Sequence, residues 1–488
     1  MKRRTFLGGA GAVMQAGQTA PQTKPQSKQR NIVFILSDDH RFDFIGALGH
    51  PWLRGRTPNL DRMITSGIHF QNAFATTSLC SPSRASILTS QYVFRHGVVN
   101  NTTALPQGLA TFPALLKQNG YRTALAGKWH MGGDDQPQPG FDHWFSFRGQ
   151  GEYIDPQVNR NGQRTRMKGY IADILTDEAL QFIRSSGNQP FCLYLSHKNV
   201  HGPFQPSPKH KDVFRDLDIP YPDTYENTPE NGEGKPEWLL KQRNSWHGVD
   251  GAMGIPGGFE RMYRGYCEGI LAIDESIGRV REELQRLGLA EDTLLVYMGD
   301  NGYLHGEHGL IDKRVMHEPS MRVPLFAECP SLARSAVAVT QMALNIDIAP
   351  TILDFAGVPA PASFQGRSLL PLMKGEPADW RQEFAYIYMW EREAPMTPTI
   401  LGLRTGQYSY MQYHGVWDRF ELYDIVKDPG QKVNLLGKVH SGLRYGRFES
   451  NIGDPALKSL HDGLQQRLQA ELKRRGGRFD PQWGMGAV

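Results

Sequence analysis

The run NIVFILSDDH, Asn31 to His40, decides how this chain is to be read. Ile32 to Leu36 are all apolar, with no alternation, and two acids follow at once. A strand with one wet face alternates; an unbroken run suits a strand covered on both faces, as in a parallel sheet. PFCLYLS from Pro190 and DTLLVYMGDNG from Asp292 have the same form. Between these runs lie helical patterns: TFPALLKQNG from Thr111, stopping at Gly120; YIADILTDEALQFIRSSG from Tyr170; and YCEGILAIDESIGRVREELQRLG from Tyr266, stopping at Gly288. Strands alternating with helices predict an α/β fold, a doubly wound and mostly parallel sheet flanked by helices.

The texture changes near Arg381. EFAYIYMWE, ILGLRTGQYSYMQY and RFELYDIVKD are aromatic and β-branched and are separated by turn residues. They predict a smaller antiparallel sheet, followed by a helix over Pro455–Arg474. The expected organisation is 1–30 as leader and linker, 31–378 as the α/β domain and 379–488 as a C-terminal α+β subdomain. Gln205 to Glu260, rich in Pro, Gly, Asn and Trp, reads as a long irregular excursion over the active face.

The N-terminus, MKRRTFLGGAGAVMQAGQTAPQ, reads as a twin-arginine signal cleaved near Ala16 to Ala20. It predicts export to the periplasm or beyond. No run approaches the roughly 20 apolar residues of a membrane helix, so no stable membrane association is expected. A net charge of +4 over 488 residues implies no nucleic-acid partner. Four widely spaced cysteines without a CxxC pair suggest neither a disulfide scaffold nor a zinc ribbon.

Ligands bind beyond the carboxyl ends of strands in an open α/β sheet. One predicted strand ends in Asp38-Asp39 and another in Asp300-Asn301. Either pair alone is also ordinary turn chemistry. Two sets of oxygen donors at two strand ends point instead to one hard cation, Ca²⁺ or Mg²⁺.

The stretch TSLCSPSRASILTSQY, Thr77 to Tyr92, places Cys80 at the start of a predicted helix, because Pro82 suits a first turn. A helix N-terminus favours a thiolate nucleophile. A free cysteine is also commonly a small buried residue, and spacing leaves both open.

SLCSPSRASILT resembles the first signature of the type I, formylglycine-dependent sulfatases of the alkaline phosphatase superfamily. GYRTALAGKWH, Gly120 to His130, resembles the second. The likeness continues through SDD, HGP, GDNGYLHGEHGLIDKRVMHEPSMRVPL and the C-terminal strands, so it covers nearly the whole mature chain. It departs at Ser90, where the signature usually has Gly.

The resemblance implies a sulfatase catalytic domain. A formylglycine-generating enzyme would oxidise Cys80 to Cα-formylglycine, and the hydrated aldehyde, a gem-diol, would attack sulfur. A covalent sulfate ester would form and would break when the second hydroxyl loses its proton. By the same resemblance Asp38, Asp39, Asp300 and Asn301 ligate Ca²⁺, with an oxygen on residue 80 completing the shell. Arg84 holds the diol, Lys128 contacts diol and sulfate, and His130 is the base. His201 and Lys313 serve the leaving alcohol; His201 is preferred to His197 because Gly-Pro follows it.

His305, His308, Arg314 and His317 fit either substrate contact or packing, and Cys192, Cys267 and Cys329 read as buried thiols. The expected substrate is a sulfated saccharide or small molecule, and Trp238, Trp246 and Tyr263 could form a sugar-binding wall or a packed lid. The competing functions are a phosphonate or phosphodiester hydrolase of the same superfamily, and a non-catalytic sulfoglycan-binding protein. The binding protein should have lost some of Cys80, Arg84, Lys128 or His130, and none is lost.

Overall fold

The computed structural model describes Met1 and residues 30–251, 254–416, 420–437, 441–444, 447–450 and 452–477. The expected export signal lies outside the described residues. The strands are β1 (Asn31–Ser37), β2 (Ile68–Phe74), β3 (Arg122–Gly127), β4 (His143–Ser146), β5 (Gln157–Arg160), β6 (Gln163–Arg166), β7 (Phe191–Ser196), β8 (Thr293–Gly299), β9 (Leu304–His305), β10 (Ile311–Asp312), β11 (Leu325–Glu328) and β12 (Val337–Leu344). Ten of them form one sheet, in the order β12-β2-β11-β8-β1-β7-β3-β4-β5-β6, and β9 and β10 form a separate hairpin.

Strand β1 lies at the centre, parallel to β7 on one side and β8 on the other. Its apolar run is explained by what covers it. Val33 and Ile35 pack towards the helices Ile171–Ser185 and Gly258–Arg286. Ile32, Phe34 and Leu36 pack towards the helices Cys80–Thr89, Phe112–Gln118 and Ile348–Ala356. All five side chains are fully buried. At about 1.5–3 kcal/mol per buried large apolar side chain, this one strand contributes on the order of 10 kcal/mol before its ordering entropy is counted.

The sheet is mostly parallel, as expected: five of its nine strand pairs are parallel, while β11 inserts antiparallel between β8 and β2, and β5 and β6 pair antiparallel at the edge beyond β4. An antiparallel neighbour needs no crossover of a dozen or more residues through a long helix; only the β9–β10 hairpin and the four-residue helix Glu318–Met321 separate β8 from β11. The long helix begins at Gly258, eight residues before the expected Tyr266, because Phe259, Met262 and Tyr263 extend its buried face. The irregular excursion ends three residues earlier than expected, at Gly257, and it contains the short helices Pro229–Gly232 and Glu237–Gln242.

The C-terminal sheet has four antiparallel strands in sequence order: β13 (Glu383–Tyr388), β14 (Thr399–Thr405), β15 (Tyr408–His414) and β16 (Phe420–Asp424). The helix Pro455–Arg474 starts at Asp454, whose carboxylate accepts from the Ala456 and Leu457 amides. Its Leu464, Leu468 and Leu472, spaced every fourth residue, are buried in the same apolar cluster as this sheet. No helix among the described residues is long and apolar enough to cross a membrane.

Candidate active site

Four neighbouring strands, β8, β1, β7 and β3, deliver the polar centre from their carboxyl ends. Register puts Ser37 beside Gly299, Leu36 beside Ser196, and Ser196 beside Gly127. The residues that follow therefore emerge side by side: Asp38-Asp39 after β1, Asp300-Asn301 after β8, Lys128 after β3 and, five residues past β7, His201. Gly127 has a φ of +125°, and a Cβ there would sit 1.8 Å from the Ser196 carbonyl oxygen, so only glycine lets these two chains approach.

Cys80 opens the helix Cys80–Thr89, which enters this centre from the side. Asn101 Oδ1 accepts the Ser81 amide at 3.1 Å and satisfies one of the free donors of the helix start. The Cys80 thiol donates to Asp38 Oδ1 at 3.4 Å, and it is fully buried. Burial, then the charge of Asp38, pushes the thiol pKa far up, so Cys80 as a thiol is protonated and a poor nucleophile. One turn on, Arg84 is also fully buried. Its Nε donates to Asp300 Oδ2 at 3.0 Å, and its Nη1 donates to the Lys128 carbonyl at 3.0 Å and Ser196 Oγ at 2.7 Å.

Asp38, Asp39 and Asp300 place carboxylate oxygens within 4.8 Å of one another, all fully buried or nearly so. Lys313 Nζ donates to both oxygens of Asp39 at 2.6 Å, and Lys128 Nζ pairs with Asp38. Burial pushes the carboxyl pKa values up, and the cations oppose it with unequal success. Asp38 is held well below its usual range, because the charges of Lys128, Arg84 and Lys313 outweigh its burial. Asp300 is pushed up to about 7 by burial and by Asp38. Three close carboxylates left partly uncompensated favour a bound cation. Asn301 Oδ1 is buried without a hydrogen-bond partner, an oxygen ligand standing unused. A set of three carboxylates and an amide oxygen fits a hard divalent ion.

His130 and His201 complete the ring. Ser81 Oγ lies 3.4 Å from His130 Nδ1, and His201 Nε2 lies 3.8 Å from Asp39 Oδ2. Burial lowers both imidazole pKa values well below the usual range, so both are neutral near pH 7. His197 faces away: its Nε2 pairs with Ser276 Oγ at 3.0 Å, on the long helix. Asp39, His130, Asp312 and Arg314 all have φ between +58° and +76°. Non-glycine residues held in that region cluster at functional centres.

The "Sulfatase" family model matches residues 30–358, about two thirds of the chain. The chain belongs to the sulfatase family. It is a sulfuric ester hydrolase, and a second model, "N-sulphoglucosamine sulphohydrolase, C-terminal", matches residues 306–443. This sulfatase is 32% identical to N-acetylglucosamine-6-O-sulfatase of Bacteroides thetaiotaomicron, over 88% of this chain and 86% of the relative. It is 27% identical to a multifunctional alkaline phosphatase superfamily protein of Trinickia caryophylli, over 84% and 91%. It superposes with a TM-score of 0.80 and 30% identity on a protein solved in complex with its substrate D-glucosamine-2-N,6-O-disulfate, covering 94% of this chain and all of that one.

Several residues of this sulfatase lie apart from where the sequence allowed them. Trp238 packs edge-on to Tyr413 and Tyr263 lies among Phe44, His50 and Trp52, both buried, so neither is available as a sugar wall. Trp246 is 48% exposed, beneath which Arg314 stacks at 5.2 Å. His305 stacks on Phe44, and His317 lies 3.7 Å from Glu421. All four cysteines are buried and unpaired. Two residues that sequence reasoning missed touch the centre. Gln150 accepts from Lys128 Nζ, and Ser196 Oγ donates to the Lys128 carbonyl at 2.7 Å. Ser90 explains the glycine its signature usually carries: it ends the Cys80–Thr89 helix with a φ of +54°.

Proposed function

We propose that this sulfatase hydrolyses a sulfate monoester on a carbohydrate, with 6-O-sulfated glucosamine as its substrate class, at the centre around Cys80. The carbohydrate part rests on one observation. The bacterial relative aligned over most of both chains is named for N-acetylglucosamine-6-sulfate, and the 30% identical structure holds a glucosamine disulfate. Residues 31–378 are the catalytic domain in this reading, and 379–488 a C-terminal subdomain. The twin-arginine leader would take the protein to the periplasm or outside the cell.

Cys80 would be oxidised to Cα-formylglycine by a formylglycine-generating enzyme; the hydrated aldehyde supplies the second hydroxyl that a cysteine or serine lacks. Asp38, Asp39, Asp300 and Asn301 would hold a divalent cation, taken as Ca²⁺, which supplies a Lewis acid for a sulfate oxygen. The chain's own groups do the rest. Arg84 fixes Asp300 from a buried position and offsets the negative charge gathered there. Lys128, steadied by Gln150, offers Nζ to the sulfate. Neutral His130 has a lone pair with which to accept a proton from a hydroxyl on residue 80. Lys313 is held cationic, since Asp39 outweighs its burial, and it opposes charge on the leaving oxygen. His201 offers an N–H to that same oxygen.

The two histidines of the His197 to His201 segment separate by experiment. His201→Ala should lower kcat by about 10²–10⁴-fold on a sugar sulfate with little change in thermal midpoint. His197→Ala should keep kcat and lose about 1–3 kcal/mol of stability, since it empties a fully buried site and removes one of two partners of Ser276 Oγ, which keeps Thr176 Oγ1 at 2.7 Å. The reverse pattern in kinetics and thermal unfolding would reassign the leaving-group role.

The reading as a whole is tested by mass spectrometry of the Cys80 peptide, from protein made with a formylglycine-generating enzyme. Rates on N-acetylglucosamine-6-sulfate, on its 6-phosphate and on an aryl sulfate should be measured beside it. An aldehyde at residue 80 and a preference for the sugar sulfate are expected. An unmodified thiol, where a control sulfatase is converted, would overturn the nucleophile. Faster phosphate ester cleavage would reassign the enzyme as a phosphohydrolase.

A further inference from the structure

A cavity of 790 Å³ is walled on one side by Gly202, Pro203 and Phe204, the residues that follow His201. Its lining carries four cations, Lys211, Arg215, Arg261 and Arg264, and two acids, Asp212 and Glu268, a formal balance of +2. Of the acids, Asp212 is exposed on the same wall and Glu268 does little to quench the cations. Glu268 is buried, and its carboxylate turns to the backbone amides of the 212–214 segment. Arg264 gives two of its five donors to the carbonyls of Phe214 and Leu217, at 3.2 and 3.0 Å. Arg261 donates to the Pro256 carbonyl at 3.2 Å. Arg215 has only a loose, exposed pairing with Asp216 at 3.8 Å. Among the described residues, Lys211, Arg261 and Arg264 have no carboxylate partner.

An excess of cations, three of them without a carboxylate partner, along one concave wall raises the local concentration of anions and steers them inwards. A saccharide whose only sulfate is the one being cleaved has no use for them, because that sulfate sits with Lys128 and Lys313. We infer that this groove binds a second anionic group, sulfate or carboxylate, on a neighbouring sugar, and so selects multiply charged oligosaccharides over singly sulfated monosaccharides. The inference rests on the sugar-sulfatase reading for its substrate. It adds that the groove, and not only the cleaved ester, recognises that substrate. Arginine is suited to the task, since its planar fork meets sulfate or carboxylate with two parallel bonds.

The test uses the double variant Lys211→Glu/Arg261→Glu in the full chain, since both side chains are exposed and neither belongs to the catalytic centre. Binding of a heparin-derived tetrasaccharide carrying several sulfates is measured by calorimetry at low and high salt. Turnover of N-acetylglucosamine-6-sulfate is measured beside it. The variant should bind the tetrasaccharide at least tenfold more weakly at low salt, with a flatter salt dependence. Its monosaccharide kcat/KM should stay within twofold of wild type. Unchanged tetrasaccharide affinity overturns the groove, and so does an equal fall on both substrates, which marks a structural effect. A wild type that binds the tetrasaccharide but turns over neither sulfate sinks the sugar-sulfatase reading, while the affinity comparison still judges the groove.

Discussion

Replacing Cys80 with alanine should abolish turnover of every sulfate ester, with a loss on the order of 10⁶ in kcat, the scale on which removing a catalytic nucleophile acts. The fold should survive. Cys80 contributes two long thiol contacts, to Asp38 and Asp39, and Lys128 and Arg84 remain to hold the first carboxylate and Lys313 the second. A small buried truncation of this kind costs about 1 kcal/mol. Cys80→Ser makes a sharper test. Its hydroxyl can attack sulfur, but it has no second hydroxyl to expel the sulfate, so the alcohol should appear as a burst of at most one equivalent per chain. Steady turnover by either variant would remove residue 80 from the chemistry.

Asp300→Ala should lose Ca²⁺ binding and with it most activity. Two effects on stability must be kept apart. Asp300 is the nearer ion-pair partner of Arg84, at 2.9 Å, and its loss leaves the fully buried guanidinium with only the looser Asp38 contact at 3.6 Å as a carboxylate partner, at a cost of up to about 3–5 kcal/mol whether or not metal is present. A lower midpoint in chelator therefore says nothing about the ion. The diagnostic is the rise on adding Ca²⁺. The wild type should gain about 2.7 kcal/mol at a hundredfold excess over Kd, and the variant much less. Equal gains in calorimetric scans would take Asp300 out of the cation site.

The centre was legible in sequence wherever its residues follow a strand or open a helix. Asp38-Asp39 and Asp300-Asn301 announce themselves because an unbroken apolar run precedes each. Cys80 and Arg84 do so because Pro82 marks the helix start. The stacking of β8, β1, β7 and β3, which brings those ends together, follows from alternation of strands and helices but not from any one segment. What escaped was set by contacts between distant segments. Gln150 and Ser196 carry no local signature, and they matter because Gly127 lets β3 press against β7. Strand β11 was missed for the same reason: four residues after Pro324 have no pattern of their own, and their direction is fixed by the gap between β2 and β8. Trp238 and Tyr263 were open between a sugar wall and packing, because an aromatic in a glycine-rich stretch looks available until its packing partners are known; both pack.

The sealed position of Cys80 sets a clock. In the folded chain the thiol is 0% exposed, so the modification proposed for Cys80 requires its enzyme to act before the four strand ends close around it. The chain's own order fixes how long the door stays open. Cys80 is made early, while Lys313, which completes the ring of charges, comes 233 residues later (313 minus 80). At roughly 5–20 residues per second, synthesis alone leaves about 12 to 47 s between the two. Faster elongation, or a chaperone that lets the sheet close sooner, would shorten that interval and lower the fraction of chains that mature, with no change in the sequence.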